Sequence, residues 1–170
     1  PSAIKRTAFL LLKLQEFLQE EIQKDPGHKI IVFTQYRNSG EEIVKVMDKL
    51  QISNSIFVGQ AKKNGVGFSQ KQQKEILDKF RVGEFSVLVS TSVGEEGLDI
   101  PSVDKVIFYE PIPSAIRSIQ RRGRTARLEK GEVTMLITAG TRDEAYRWSS
   151  SHKEKRMYRN LAQLKKNIVF

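Results

Sequence analysis

The stretch KIIVFT, Lys29–Thr34, decides the fold because it is a short, nearly continuous run of apolar and β-branched residues. A strand with one exposed face alternates apolar and polar residues, whereas a run without alternation is typical of a strand covered on both faces. The turn-forming sequence Asp25-Pro26-Gly27 precedes the run and separates it from a helical pattern. The stretch therefore predicts a buried strand that follows a helix.

The same change from helical to strand-like spacing of apolar residues recurs along the chain. Helical spacing is predicted over 4–23, 43–50 and 70–81, with Ser69 as the N-cap of the third helix and Val82-Gly83 as its end. Strand-like runs occupy 55–58, 86–90, 105–109 and 132–137, and further helices are expected from about Ser114 and Thr141. Helices that alternate with strands imply mostly parallel pairing and a three-layer α/β/α sandwich.

The length and composition predict one domain, residues 1–170, with a lead-in helix over 1–27 and a helical extension over 141–170. The chain starts at Pro1, so we expect a fragment of a larger protein. The absence of cysteine fits an intracellular setting, cytoplasmic in a prokaryote. No apolar run approaches the roughly 18 residues of a membrane span, so no membrane partner is expected.

The net charge of +9 comes entirely from the C-terminal part of the chain. Residues up to Ile116 contain 15 basic and 15 acidic side chains, whereas the rest of the chain, from Arg117, contains 14 basic and 5 acidic ones. A one-sided excess of this kind is expected of a polyanion-binding face. A solvated basic helix end explains the last part of the excess equally well.

In parallel α/β sheets, ligands bind in the crevice at the carboxyl ends of the strands. The loop Thr91–Pro101 follows one predicted strand and contains Gly94, Gly97 and Asp99. Glycines allow close backbone approach, hydroxyls and amides can bind a phosphate, and Asp99 could accept a hydrogen bond from a sugar. A polar connector that ends in a turn before Pro101 is an equally good reading of the residues alone.

The stretch QRRGRTAR, Gln120–Arg127, contains four arginines and no lysine. On a continuing helix, a spacing of three places Arg121, Arg124 and Arg127 along one face. The planar guanidinium binds phosphate in a bidentate manner, whereas a nonspecific patch would tolerate lysine. The segment therefore favours a geometric task, such as stabilising charge on a transferring phosphoryl group.

Other catalytic sites find no support in the sequence. It contains no G-x-x-x-x-G-K-[ST] phosphate loop, so the chain is not expected to hold a triphosphate alone. Asp143-Glu144 resembles a magnesium-binding pair, but Thr141 and Glu144 fit a helix capping box better. His28 and His152 are too few and too far apart for a metal site, and a Ser/His/Asp catalytic triad is equally unsupported by the sequence.

Three stretches together resemble motifs IV, V and VI of superfamily-two helicases, in order and at the usual spacing. They are KIIVFTQYRNS at 29–39, VLVSTSVGEEGLDIP at 87–101, and QRRGRTAR at 120–127. The sequences YEPIPSAIRSIQRRGRTAR and GTRDEAYRWSS are most similar to the archaeal Hef and FANCM-type group of fork-processing DNA helicases. The resemblance implies a RecA-like second lobe of a two-lobed motor, with ATP bound in the cleft between the lobes.

In that family the first lobe supplies the phosphate loop and the carboxylates that bind Mg²⁺, and it is absent from this chain. By position in the motifs, Arg124 and Arg127 would be arginine fingers that reach the γ-phosphate, with Gln120 nearby. Gly97 and Asp99 would meet the ribose side of ATP. The phosphate backbone of one nucleic-acid strand would contact Thr34, Arg37, Gly59-Gln60, Thr91 and Ser92.

The resemblance implies an ATP-dependent DNA helicase or translocase for branched or forked DNA, and the fragment alone is expected to be inactive. One alternative is the lobe of a double-stranded-RNA-type helicase, and another is a basic nucleic-acid-binding module without ATP chemistry. Ala126 stands where family members commonly have glycine, and we expect no effect on the arginine geometry. The E-R-K-x-x-x-D nuclease signature of archaeal Hef proteins does not occur in the sequence.

Overall fold

The computed structural model describes residues 3–59, 67–91, 101–110 and 132–136. The chain divides into two compact units, Pro1–Leu136 and Ile137–Phe170, and all described residues lie in the first. The helices predicted from Ser114 and Thr141 lie outside the described residues. None of the helices in the described ranges is long and apolar enough to cross a membrane.

The described part of the chain alternates helices and strands, as the periodicity predicts. The helices are α1 (Ala3–Lys24), α2 (Arg37–Lys49) and α3 (Gln70–Val82), and the strands are β1 (Ile30–Phe33), β2 (Asn54–Phe57), β3 (Val87–Ser90), β4 (Lys105–Phe108) and β5 (Glu132–Met135). The strands form one sheet in the order β2-β3-β1-β4-β5, and every pairing is parallel. The predicted boundaries agree with these elements to within one or two residues at most ends; α2 begins several residues before the predicted 43–50.

All four residues of β1 are buried, which confirms that this central strand is covered on both faces. One layer of the core packs α1 and α2 against the sheet, through Leu14 and Leu18 of α1 and Ile43 and Met47 of α2. The layer on the opposite face contains Leu77 and Phe80 of α3. It also contains the strand residues that alternate along the chain with those of the first layer, such as Ile31 and Phe33 of β1. The predicted three-layer α/β/α sandwich is therefore confirmed for the described residues.

The ends of α3 match the signals in its sequence. The Ser69 hydroxyl accepts a hydrogen bond from the Gln72 amide at 3.2 Å, and the Gln72 side chain accepts one from the Ser69 amide at 2.9 Å. This reciprocal capping box satisfies two amides at the helix start. Gly83 ends the helix in the left-handed conformation, at φ 83°, which is a conformation that side-chain-bearing residues adopt at a cost.

A buried ion pair joins α1 to β4. Lys105 Nζ lies 2.9 Å from Glu21 Oε2, and both side chains are only 7% exposed. The same ammonium lies 4.7 Å from the centre of the Phe17 ring. The hydrogen bond from Lys105 lowers the pKa of Glu21 against the opposing effect of burial, with a smaller contribution from Lys24. The pair therefore keeps Glu21 ionised inside the protein.

Candidate nucleic-acid interface

Residues that follow three neighbouring strands meet at the carboxyl edge of the sheet. Thr34 follows β1, Gly59 follows β2 after one intervening residue, and Thr91 follows β3. The Thr34 amide donates to the Ser90 carbonyl at 3.1 Å, and the Thr91 amide donates to the Phe57 carbonyl at 3.0 Å. Thr34 and Thr91 therefore extend the sheet ladder by one residue and are fixed in position by backbone hydrogen bonds.

Glu110, which lies two residues after β4, ties this strand to the loop that follows β1. Its Oε2 atom accepts a hydrogen bond from the Thr34 hydroxyl at 2.8 Å and another from the Gln35 amide at 2.7 Å. Thr34 is fully buried, at 0% exposure. Its hydroxyl is thus engaged inside the protein, and its predicted contact with a nucleic-acid phosphate stays a prediction.

Gly40 brings the first turn of α2 against the same edge. A Cβ atom built on Gly40 would lie 2.9 Å from Thr91 Cγ2 and 3.5 Å from Thr34 Cγ2. Side-chain-bearing residues essentially never approach a carbon atom as closely as 2.9 Å. The glycine therefore allows a close contact that places the start of α2 next to both threonines.

Arg37, predicted to contact the strand backbone, is the first residue of α2. Its Nε lies 3.2 Å from Glu41 Oε1, one helical turn further on, and its side chain is 33% exposed. The ion pair orients the guanidinium along the helix without burying it. A partly exposed pair of this kind adds little to stability.

Gly59 lies in a loop that is held from the other face of the sheet. The side-chain amide of the buried Gln73 in α3 donates to the Val58 carbonyl at 2.9 Å. The Gly59 carbonyl accepts from the Phe68 amide at 3.4 Å. These bonds fix the backbone on both sides of residues 60–66, which lie outside the described ranges.

Acidic groups also lie at this edge and shape its electrostatics. Burial, together with smaller contributions from the nearby carboxylates of Glu110 and Glu42, raises the pKa of Tyr109 to about 12. The Tyr109 hydroxyl, neutral at pH 7, donates to the Thr7 carbonyl at 3.4 Å. Because carboxylates repel phosphate, a polyanion at this edge would rely on backbone amides, hydroxyls and arginines rather than on overall positive charge.

Of the predicted site residues, Thr34, Arg37, Gly59 and Thr91 lie within the described residues, at or next to one edge of the sheet, and their role in binding stays a prediction. The remaining predicted site residues are Gln60, Ser92, Gly97, Asp99, Gln120, Arg124 and Arg127, and all of them lie outside the described residues. Their roles in binding nucleic acid, ribose and the γ-phosphate stay predictions. No group of His, Cys, Asp or Glu that could hold a metal occurs in the described ranges.

Sequence reasoning missed Glu110, Gly40 and Tyr36. Glu110 follows an apolar strand in the same way that Thr34 does, and this placement was the available signal. A glycine inside a helical pattern, such as Gly40, usually has a packing reason. Tyr36 is an aromatic residue between a strand and a helix, where nothing in the sequence distinguishes an exposed ring from a buried one.

The comparisons with known proteins identify the family and the fold of the chain. Residues 13–129 match the family described as Helicase conserved C-terminal domain. The structure of the Pyrococcus furiosus Hef helicase domain superposes with a TM-score of 0.72 at 57% identity, over 83% of this chain and 28% of that one. The predicted RecA-like fold is thereby confirmed.

Two curated relatives extend the comparison. A protein of Methanocaldococcus jannaschii, MJ1505, provisionally named an ATP-dependent RNA helicase, is 49% identical over 152 residues, which are 89% of this chain and 19% of the relative. The ATP-dependent DNA helicase MPH1 of Pyricularia oryzae is 48% identical over 130 residues, 75% of this chain and 12% of the relative. The chain thus spans a fifth or less of either relative. It belongs to the helicase conserved C-terminal domain family and is the C-terminal domain of a superfamily-two helicase similar to Hef and MPH1.

Proposed function

We propose that this chain is the second motor lobe of an ATP-dependent DNA helicase or translocase that acts on branched or forked DNA. The observation that carries the proposal is the meeting of Thr34, Gly59 and Thr91 at one edge of the sheet, next to the start of α2. Thr34 and Thr91 belong to stretches that resemble helicase motifs IV and V, and the family match also includes the arginine segment. The edge is where parallel α/β sheets bind ligands.

The nucleic-acid strand contacts this edge through its sugar-phosphate backbone. Backbone hydrogen bonds hold Thr91 and Gly59 at fixed positions along this edge, and Arg37 at the start of α2 supplies a guanidinium. The amides at the start of a 13-residue helix add a partial positive charge there. Contacts of this kind do not read the sequence. Because the arginine neutralises a phosphate and releases counterions, binding also weakens as the salt concentration rises.

ATP binds between this lobe and the first lobe, and Mg²⁺ is assigned to the first lobe on the resemblance alone. In this chain, Gly97 and Asp99 meet the ribose side, and Arg124 and Arg127 reach the γ-phosphate with Gln120 nearby. Their guanidinium groups stabilise the charge of the transition state when the lobes close. Reopening after hydrolysis moves the strand-binding edge of this lobe relative to the strand-binding surface of the first lobe, which produces translocation.

A second candidate substrate is RNA, because the relative MJ1505 is provisionally named an RNA helicase at 49% identity. MPH1, at 48% identity, is named a DNA helicase, so these two names favour neither nucleic acid. The similarity to Hef at 57% identity supports the DNA assignment through the resemblance to fork-processing enzymes. The two substrates can be separated only by measurement.

The test compares ATP hydrolysis by the full-length protein with no nucleic acid, with forked DNA and with duplex RNA. We expect the largest stimulation with forked DNA and a loss of stimulation at high salt. Greater stimulation by duplex RNA would replace the DNA assignment. If neither nucleic acid stimulates hydrolysis, the proposal of a motor is wrong, and if no reaction shows hydrolysis, the chain is a binding module without ATP chemistry.

A further inference from the structure

Tyr36 is an exposed aromatic residue at the edge that binds the strand in the proposed function. Its relative exposure is 59%. The other exposed large hydrophobic residues of the described ranges are Phe9 and Leu12 on α1 and Val82 at the end of α3. Tyr36 differs from these three because it follows directly on the Thr34-Gln35 segment at the carboxyl end of β1.

The side chain of Tyr36 has no structural task that explains its position. It occupies the N-cap of α2 in an extended conformation, but it makes no side-chain capping hydrogen bond. Serine, threonine, aspartate and asparagine are the residues that cap helices well. An exposed ring contributes little to the core, so neither capping nor packing accounts for a tyrosine here.

The backbone around Tyr36 is nevertheless held on both sides. The Gln35 amide donates to Glu110 at 2.7 Å, and the Tyr36 carbonyl accepts from the Gly40 amide at 3.1 Å. Gly40 in turn packs against Thr91. The ring is thus attached to a fixed segment, so the protein backbone loses little additional freedom when a ligand contacts the ring.

We propose that Tyr36 is a stacking platform for one unpaired base of the nucleic-acid strand. The proposal rests on the proposed function, and it adds a base contact to an edge that otherwise contacts only the backbone. Every base has a π-face, so stacking on an aromatic ring strengthens binding without reading the sequence. The chemical class recognised is therefore a single-stranded segment with an exposed base, and a fully paired duplex offers none.

The first experiment measures binding by the full-length protein to DNA and RNA single strands of about 16 nucleotides, by fluorescence anisotropy at fixed salt. Tyr36→Ala is expected to weaken binding about 5- to 150-fold, which is the range for loss of one stacked base. Tyr36→Trp and Tyr36→Phe keep a ring and should bind within a few-fold of the unmodified protein. The strand type that shows the effect identifies the sugar of the ligand.

Two controls separate stacking from a general loss of apolar surface. Phe9→Ala removes a ring of nearly equal exposure, 57%, from α1, and Val82→Ala removes an exposed side chain from the end of α3. Both variants should bind as the unmodified protein does. Because Tyr36 is mostly exposed, its replacement should leave the thermal unfolding midpoint unchanged, so that weaker binding cannot come from misfolding.

The deciding strand carries abasic sites at every position. Without bases, the unmodified protein and Tyr36→Ala are expected to bind equally, because only the backbone remains to be contacted. Equal affinity of the two proteins for the base-containing strand would overturn the proposal. An equal loss on the abasic strand would also overturn it, because the tyrosine would then act on the backbone. If the unmodified protein bound neither strand, the proposed function would be wrong and this inference with it.

Discussion

Replacement of Gly40 by alanine tests how closely α2 is pressed against the carboxyl edge. The added Cβ would lie 2.9 Å from Thr91 Cγ2, so the helix or the threonine must move. Overpacking of this kind costs about 1–3 kcal/mol. Alanine is favoured over glycine inside a helix by about 0.8–1.0 kcal/mol. We therefore expect Gly40→Ala to lower the free energy of unfolding by up to about 2 kcal/mol.

The clash can be removed from the other side, which makes the test specific. Thr91→Ser deletes the Cγ2 methyl and retains the hydroxyl, which lies 3.4 Å from the Phe57 carbonyl. In this background the nearest atom to the new Cβ is Ile56 Cδ1 at 3.4 Å, an ordinary contact. Gly40→Ala should then raise the free energy of unfolding by about 1 kcal/mol, because only the helix propensity remains.

Urea denaturation of the four proteins of this double-mutant cycle gives the coupling energy between the two positions. Residues in direct contact couple by about 0.5–3 kcal/mol, and we expect a value of about 1–3 kcal/mol here. Ser39→Ala, a change at the preceding residue of α2, serves as the control and should not couple to Thr91→Ser. Equal effects of Gly40→Ala in both backgrounds would show that α2 does not press on Thr91.

Substitutions at four further residues test other parts of the structure. Gly83→Ala should lower the free energy of unfolding by about 1 kcal/mol, because its φ of 83° strains any residue with a Cβ; urea denaturation measures it. Lys105→Met removes the main partner of the buried Glu21 carboxylate, and Lys24 remains 3.1 Å away. The cost at pH 7 should therefore exceed the roughly 1 kcal/mol of an exposed pair but stay below the about 3–5 kcal/mol of an unpaired buried charge. Because the pKa of Glu21 lies below 4.5 in the folded protein, its stabilisation is present above pH 4.5 and is lost as the pH falls through the folded pKa; Glu21→Gln should remove this part of the acid dependence. Glu110→Ala leaves the buried Thr34 hydroxyl without its acceptor and should cost about 1–3 kcal/mol, and Glu110→Gln, which keeps an acceptor oxygen, should cost less.

The elements of this domain could be predicted from the sequence because local signals set them. The uninterrupted apolar run of β1 indicates burial on both faces, and all four of its residues are buried. Ser69 and Gly83 mark the ends of α3 through their own hydrogen-bonding and backbone preferences. Each of these signals lies within a few residues of the structure that it determines.

The strand order and the contacts between distant residues could not be read in this way. Glu110 accepts a hydrogen bond from Thr34 across 76 positions in the sequence. Lys105, the one charged residue of the otherwise apolar strand β4, pairs with Glu21 of α1. Neither partner carries a local mark of the other. The close approach of Gly40 to Thr91 likewise depends on how α2 crosses β3, which is set by packing and not by the pattern of either segment.

The central claim, that this chain is the lobe that completes an ATPase site, is tested most directly by ATP hydrolysis of the full-length protein with forked DNA. Arg124→Ala and Arg127→Ala should each reduce stimulated hydrolysis by about 10³- to 10⁵-fold, the range for arginine fingers in related phosphoryl-transfer enzymes. Their affinity for single-stranded DNA should change little. The neighbouring Arg122→Ala, at an arginine that lies off the predicted face of Arg121, Arg124 and Arg127, should retain nearly full activity. Unchanged hydrolysis in the Arg124 and Arg127 variants, or an equal loss in Arg122→Ala, would contradict the claim.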